Sequence, residues 1–170
     1  MRREGVTAAN RELKRVARAH RRLSSADSFD DAEDAWADFL AHANKVYLKL
    51  RAACHGQGLD WMWWRKIMDE RRDDPLLAYI HHARNSDTHR LEETVEWIPI
   101  GAHTVQVPGL GDVATGPHLR ALSVTDKDVV YLPPTEHFGG PIPYPQADAI
   151  SALATRYLDE LVIAATFRLR

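Results

Sequence analysis

The segment FDDAEDAWADFLAHANKVYLKLRAAC, residues 29–54, decides the fold because it carries the longest apolar seam in the chain. Ser28 or Asp30 can cap a helix here, and the acidic side chains that follow suit the positive end of its dipole. Apolar residues then recur at alternating steps of four and three: Ala32, Trp36, Phe39, Ala43, Val46, Leu50 and Ala53. HGQG at 55–58 ends the pattern near Cys54. This segment therefore predicts a long helix of a bundle.

Four other segments are predicted to form helices around this one. The first is Thr7–Leu23, and the third is WMWWRKIMDERR at 61–72, for which Asp60 is the expected cap. DDP at 73–75 supplies a cap and a proline in the first turn of a fourth helix, which runs from Leu76 to about Val95. The last helix has one apolar face, formed by Ile150, Leu153, Tyr157, Leu161 and Ala164 or Ala165.

From Glu96 onward the sequence changes to short β-branched segments separated by turn residues. WIPI, HTVQV, HLRALSV and VVYL are such segments, and TDKD at 125–128 is typical of a hairpin turn. We therefore predict a mainly α fold, a helical bundle with a small antiparallel β insertion at about 97–132 before the C-terminal helix. A single domain, 1–170, is expected, with a basic N-terminal helix at 1–23 and a β and loop insertion at 97–145.

Composition limits the class of protein. The chain has 170 residues, of which 45% are hydrophobic and 27% charged, as in an ordinary globular domain. Its start lacks the apolar core of a signal peptide, and its longest apolar run, LVIAATF at 161–167, is too short to cross a bilayer. Cys54 is the single cysteine, which excludes an internal disulfide and fits a reducing compartment. These features predict a cytoplasmic protein with no membrane partner.

Charge is distributed unevenly along the chain. The net charge is −2, but residues 1–22 hold eight Arg or Lys against Glu4 and Glu12, a local balance of +6 that leaves −8 for the rest. A basic helix of this kind can track phosphates. It can equally be a solvated amphipathic helix with Leu13 and Val16 facing the protein body. Both interpretations remain open from the sequence.

The segment HHARNSDTHR, residues 81–90, concentrates polar side chains on the predicted fourth helix. At 100° per residue, Arg84 and Asp87 fall inside the apolar arc of that helix. A buried charge is costly unless it is paired, so these two are expected to meet each other or a neighbouring helix. A separate polar stripe, expected to face a cleft, is formed by His82, Asn85, His89 and Glu92.

Within this segment, residues 84–89 have the form R-N-x-x-x-H, which resembles the signature of the HEPN superfamily. Members of that superfamily are small helical bundles, many of them metal-independent ribonucleases of toxin or phage-defence systems. Their motif lies on a core helix, and two protomers bring their motifs together across a dimer cleft. The β insertion is a departure from the all-helical members.

The resemblance implies a metal-independent endoribonuclease with Arg84 on the phosphate, His89 as general acid or base and Asn85 as the residue that orients them. Histidine suits proton transfer because its ordinary pKa is near neutral, and the planar arginine fork suits phosphate oxygens. His81 and His82 are further candidates for substrate binding. The resemblance implies a homodimer without a cofactor, RNA as a possible substrate, and an antitoxin or another protein as a possible partner.

A non-catalytic bundle that binds a protein or a nucleotide is the alternative, because a fold does not dictate a function. A neutral-to-acidic cleft around Arg84 favours this alternative, and a basic cleft joining two copies of His89 favours the nuclease. No metal site is predicted, since the segment has no His or carboxylate pair four residues apart of the kind that binds zinc on one helical face. Three histidines of the β region are interpreted as incidental: His103, His118 and His137.

Overall fold

The computed structural model describes residues 1–90, 93–99, 104–107, 111–114, 118–142, 144 and 146–169. For 87–90, 104–107 and 111–114 it describes the backbone and not the side chains. The helices of this part are α1 Arg3–Ser24, α2 Phe29–Ala53, α3 Leu59–Asp73, α4 Pro75–Arg90 and α5 Ala147–Thr166. The strands are β1 Val95–Ile98, β2 Thr104–Val107, β3 Gly111–Ala114, β4 His118–Ala121, β5 Val124–Asp126, β6 Val129–Tyr131, β7 Glu136–His137 and β8 Gly140–Pro141.

The chain is mainly helical with small antiparallel strand pairs, as the sequence predicted. Helices α1 and α2 pack against each other as an antiparallel pair, and α5 packs against both. All seven seam residues of α2 are buried, at 2% exposure or less. Leu13 and Val16 of α1 are buried too, so its inward face is the predicted one. None of the helices in the described ranges is both long enough and apolar enough to span a bilayer.

Two predicted helix caps are confirmed and one is wrong. The Ser28 hydroxyl accepts from the backbone N–H of Asp31 at 3.2 Å, and the Asp74 carboxylate accepts from that of Leu77 at 3.0 Å. Helix α3, however, begins at Leu59, and its cap is Gly58, whose φ of 78° is readily adopted only by glycine. Asp60 therefore lies in the first turn, where its carboxylate pairs with the N-terminal amine at 2.8 Å.

Helix α4 is shorter than predicted. It is described as far as Arg90, and the chain is no longer helical at Glu93. Val95, expected in its last turn, begins β1 and pairs with Ala121 of β4. Val95 is 1% exposed, so its apolar character is used inside a strand pair and not on a helix face. The β-branched run around Val95 fits either element locally, and pairing with a distant strand decides between them.

The β insertion is a set of antiparallel hairpins attached to the bundle by buried polar contacts. Strand β1 pairs with β4, and the two strands between them in the sequence, β2 and β3, pair with each other. Strands β5–β6 and β7–β8 form two further pairs. TDKD forms the predicted hairpin turn, with Lys127 and Asp128 both at positive φ, 50° and 63°. The indole N–H of Trp36 donates to the Thr94 hydroxyl at 3.0 Å, and the Tyr79 hydroxyl donates to the Leu122 carbonyl at 2.7 Å.

Candidate active site on helix α4

Helix α4 positions most of the predicted site residues. Its buried side chains, including Tyr79, Ile80 and Ala83, hold it against α2 and α3. The polar side chains from the same turns are half-buried at the rim of this contact: His81, His82, Arg84 and Asn85. His89 is in the last turn of α4, but its side chain and that of Asp87 lie outside the described ones. The expected Arg84–Asp87 pair and the role of His89 therefore stay predictions.

The carboxylate of Asp126 joins two residues of the predicted stripe. Its Oδ2 atom lies 2.8 Å from Nδ1 of His82 and accepts from the amide nitrogen of Asn85 at 2.9 Å. A carboxylate can only accept, so Nδ1 of His82 carries the proton and the lone pair of a neutral ring is on Nε2. The Asn85 bond, followed by the His82 bond, lowers the pKa of Asp126 below its usual 3.8.

The β5–β6 hairpin covers part of this stripe. Tyr131 of β6 stacks on the His82 ring with centroids 3.5 Å apart and planes 11° apart. The same hairpin supplies Asp126, so His82 is held on its edge and on its face, and its side chain keeps 20% exposure. The hairpin thus fixes the imidazole without enclosing it.

Arg84 enters the same network through its neighbour. One of its guanidinium nitrogens donates to Oδ1 of Asn85 at 3.2 Å, while the Asn85 amide nitrogen donates to Asp126. Both ends of the Asn85 amide are therefore engaged. Arg84, Asn85, Asp126 and His82 form one continuous hydrogen-bonded chain.

His81 belongs to a second, more buried set of contacts. Arg71 of α3 donates to Nδ1 of His81 at 2.9 Å and to Asn44 of α2 at 2.9 Å, and it stacks over the Tyr47 ring at 4.1 Å. Burial, then the charge of Arg71, lowers the pKa of His81 from 6.5 to about 4. His81 is thus neutral at physiological pH, and because Nδ1 accepts, its Nε2 carries the proton.

Arg71 and Arg84 lie close enough to influence each other electrostatically. Burial lowers the pKa of Arg71, and the charge of Arg84 lowers it further. Arg71 is buried, whereas Arg84 is half-buried. The planar fork of an arginine suits phosphate oxygens.

A second histidine–carboxylate pair lies at the start of α4. Asp74, which caps the helix, also lies 2.9 Å from Nδ1 of His137 and accepts from the Phe138 backbone N–H at 2.7 Å. A cleft of about 360 Å³ borders Asp74 and Phe138, and its other lining residues include Asp69, Glu70, Asp73 and Glu136. The sequence did not predict this structural contact of His137. It ties the β7–β8 hairpin to the helix cap.

A further cleft and the single cysteine lie outside the α4 network. A cleft of about 580 Å³ is lined by Met1, His55, Gln57, Leu59, Asp60, Ala164, Phe167 and Arg168, none of which belongs to that network. Among the residues with described side chains, no three of His, Cys, Asp and Glu are grouped as a metal site requires. Cys54 is buried at the end of the α2 seam, and burial raises the pKa of its thiol.

Sequence reasoning missed the residues that other elements bring to the site. Asp126 and Tyr131 come from the β5–β6 hairpin, and Arg71 and Asn44 come from α3 and α2. The sequence predicts the TDKD turn that contains Asp126, but the turn pattern assigns no role to the Asp126 side chain. No local signal joins residue 126 to residue 82.

Comparison of the chain with protein-family profiles, with curated proteins and with solved structures gave no match. The likeness to HEPN proteins therefore rests on residues 84–89 and on the helical bundle that carries them.

Proposed function

We propose that the chain is a metal-independent endoribonuclease of the HEPN type. The observation that supports this best is the hydrogen-bonded chain from Arg84 through Asn85 and Asp126 to His82. It holds an oriented imidazole in one network with a guanidinium group of the kind that binds phosphate. Oriented proton-transfer groups and a fixed cation are what cleavage of RNA without a metal requires.

In this mechanism, Nε2 of neutral His82 removes the proton from the ribose 2′-hydroxyl. The 2′-oxygen attacks the adjacent phosphorus, the bond from phosphorus to the 5′-oxygen breaks, and that oxygen takes a proton from a general acid. The products are a 2′,3′-cyclic phosphate and a 5′-hydroxyl. Asp126 stabilises the imidazolium as it forms, and Arg84 binds the phosphate oxygens in pairs. The resemblance suggests His89, from this chain or a second copy, as the acid.

The experiment is cleavage of a mixed RNA substrate by purified protein in excess EDTA, with product ends identified as cyclic phosphates. Arg84→Ala, His82→Ala and His89→Ala should each lower the rate at least about 100-fold. Asp126→Asn should lower kcat about 10-fold with little change in KM, since Asp126 acts through His82. His55→Ala, which removes an exposed histidine outside the network, is the matched control and should leave the rate unchanged.

Circular dichroism and urea unfolding must show that each variant is folded before its rate is interpreted. Cleavage that stops in EDTA, or that survives both His82→Ala and His89→Ala, contradicts the proposed mechanism. Cleavage that only His89→Ala abolishes would assign the proton transfers to that residue and leave His82 as a substrate-binding group.

A non-catalytic binding module is the second candidate, and the β5–β6 hairpin is the observation that favours it. Asp126 and Tyr131 already occupy the edge and face of His82, as in a structural contact. On this proposal the Arg71–Arg84 region binds an anionic group of a nucleotide or of a protein partner, such as an antitoxin. Absence of cleavage for every RNA offered, together with calorimetric binding of a mononucleotide that Arg84→Ala abolishes, would select this function.

A further inference from the structure

Helix α1 presents a continuous cationic face that the α4 site does not use. Every Arg and Lys of residues 1–22 is exposed, eight in all. The opposite face is buried against α2 and α5 through Val6, Ala9, Leu13, Val16, Ala19 and Leu23. The position of the helix is therefore fixed by its apolar side, and its basic side faces away from the protein.

Four of these cations form a regular row. Arg11, Lys14, Arg18 and Arg21 follow one another at steps of three, four and three residues, so they rise by about 4.5–6 Å per step within an arc of about 80°. None of the four makes an ion pair with a side chain that the structure describes. By contrast, Arg15 is paired with Glu12 at 2.8 Å and Arg22 with Asp38 at 2.6 Å.

We propose that this row binds the phosphate backbone of the RNA on which the α4 site acts, an inference that rests on the proposed nuclease function. Charges along a nucleic-acid strand follow at a comparable spacing, roughly one per 3.4 Å of axis in DNA. A rigid helix that holds its cations in line can neutralise several successive phosphates without reading the bases. Release of counterions from those phosphates supplies the affinity.

The structure favours a nucleic acid over a membrane or a protein. A helix that lies on a bilayer needs an exposed apolar face, but the apolar face of α1 is occupied by α2 and α5. None of the large exposed apolar side chains of the described residues lies on α1. A protein interface also needs an apolar centre, which the row does not offer.

The test is the salt dependence of binding to a fluorescent 2′-O-methyl oligonucleotide, which lacks the hydroxyl that cleavage requires. One variant replaces Arg11, Lys14, Arg18 and Arg21 by Gln, a residue that keeps helix propensity. The matched control replaces four exposed cations of α2 and α3 that have no ion pair in the described part: Lys45, Lys49, Arg51 and Arg65. Each variant loses four positive charges, so the two have the same net charge.

The α1 variant should bind at least about 10-fold more weakly at 50 mM salt, and the slope of log affinity against log salt should fall by about 2–3. The control should keep affinity and slope within about twofold of the unsubstituted protein. Equal losses in the two variants would reveal only an effect of net charge and would overturn the inference. Absence of oligonucleotide binding would also overturn the inference. If the protein instead bound phosphatidylserine vesicles and the α1 variant lost that binding, the row would be a membrane-binding surface and the inference would be wrong.

The two proposals fail in different ways. The α1 variant retains the whole α4 network, so with cleavable RNA it should raise KM and leave kcat unchanged. If the protein binds the oligonucleotide through α1 but cleaves no RNA, the proposed nuclease function is wrong and α1 is still a nucleic-acid-binding surface. If the protein cleaves RNA but the α1 variant has an unchanged KM and an unchanged salt slope, only the inference about α1 is wrong.

Discussion

Individual histidines of this chain differ in which ring nitrogen carries the proton, and the partner of Nδ1 decides it. At His82 and His137 the partner is a carboxylate, so Nδ1 donates. At His81 the partner is Arg71, which can only donate, so Nδ1 accepts. Burial and the charge of Arg71 therefore disfavour protonation of His81 in the folded state, whereas Nδ1 of its neighbour His82 faces a carboxylate.

This difference gives His81 a defined effect on stability. Its folded pKa, about 4, is below the ordinary 6.5, so the unfolded chain takes up a proton that the folded chain refuses as pH falls through that interval. Stability from this source is full above pH 6.5 and is lost as pH falls toward 4. Because His81 is half-buried, we expect a loss of about 1–2 kcal/mol.

The check compares urea unfolding of the unsubstituted protein and of His81→Asn between pH 7.5 and 4.5. Asparagine keeps an acceptor for Arg71 and does not titrate, so the variant should lose less stability on acidification. The other histidines are common to both proteins and cancel in the difference. Parallel pH profiles for the two proteins would contradict a depressed pKa at His81.

At the level of helices, the contact between α1 and the end of α2 depends on Gly5. A Cβ atom at Gly5 would lie 2.6 Å from Cβ and 2.8 Å from Cα of Ala53, closer than atoms approach without movement of the backbone. The Arg2 backbone N–H donates to the Ala53 carbonyl at 2.7 Å in the same place. The absence of a side chain at residue 5 is what lets the two helices approach.

Gly5→Ala should therefore lower the free energy of unfolding by about 1–3 kcal/mol, despite the higher helix propensity of alanine. Gly56→Ala is the matched control because a Cβ atom there meets nothing within 4 Å. It should change stability by no more than about 0.5 kcal/mol. The measurement is urea unfolding of both variants. Equal changes in their free energies of unfolding would show that the close approach of α1 and α2 at Gly5 does not determine stability.

The elements that the sequence predicted well are those with local signals. A helical period of apolar residues predicts the α2 seam, and a hydrogen-bonding side chain predicts the caps at Ser28 and Asp74. The turn-forming residues of TDKD predict the hairpin turn. The end of α4 was predicted wrongly because Val95 satisfies an apolar pattern in either a helix or a strand. Its partner Ala121, 26 residues along the chain, decides for the strand.

At the level of the whole molecule, the candidate site could be predicted only in part. The α4 segment reveals its polar residues through its own sequence, and two of them, His82 and Asn85, do meet at one carboxylate. That carboxylate, the Tyr131 ring and the Arg71 fork come from elements whose packing follows from the sum of many apolar contacts. Such contacts leave no spacing in the sequence that pairs residue 82 with residue 126.

The expected homodimer gives the last prediction. The resemblance places Arg84 and His89 of two copies in a shared cleft, so Arg84→Ala and His89→Ala chains should complement each other when mixed and refolded together. Random pairing makes half of the dimers mixed, and each mixed dimer holds one complete Arg–His pair, so about a quarter of the RNA cleavage should return. Mixing Arg84→Ala with the double variant is the control and should restore none. A monomer in sedimentation, or a mixture no more active than its components, would contradict a site shared between two copies.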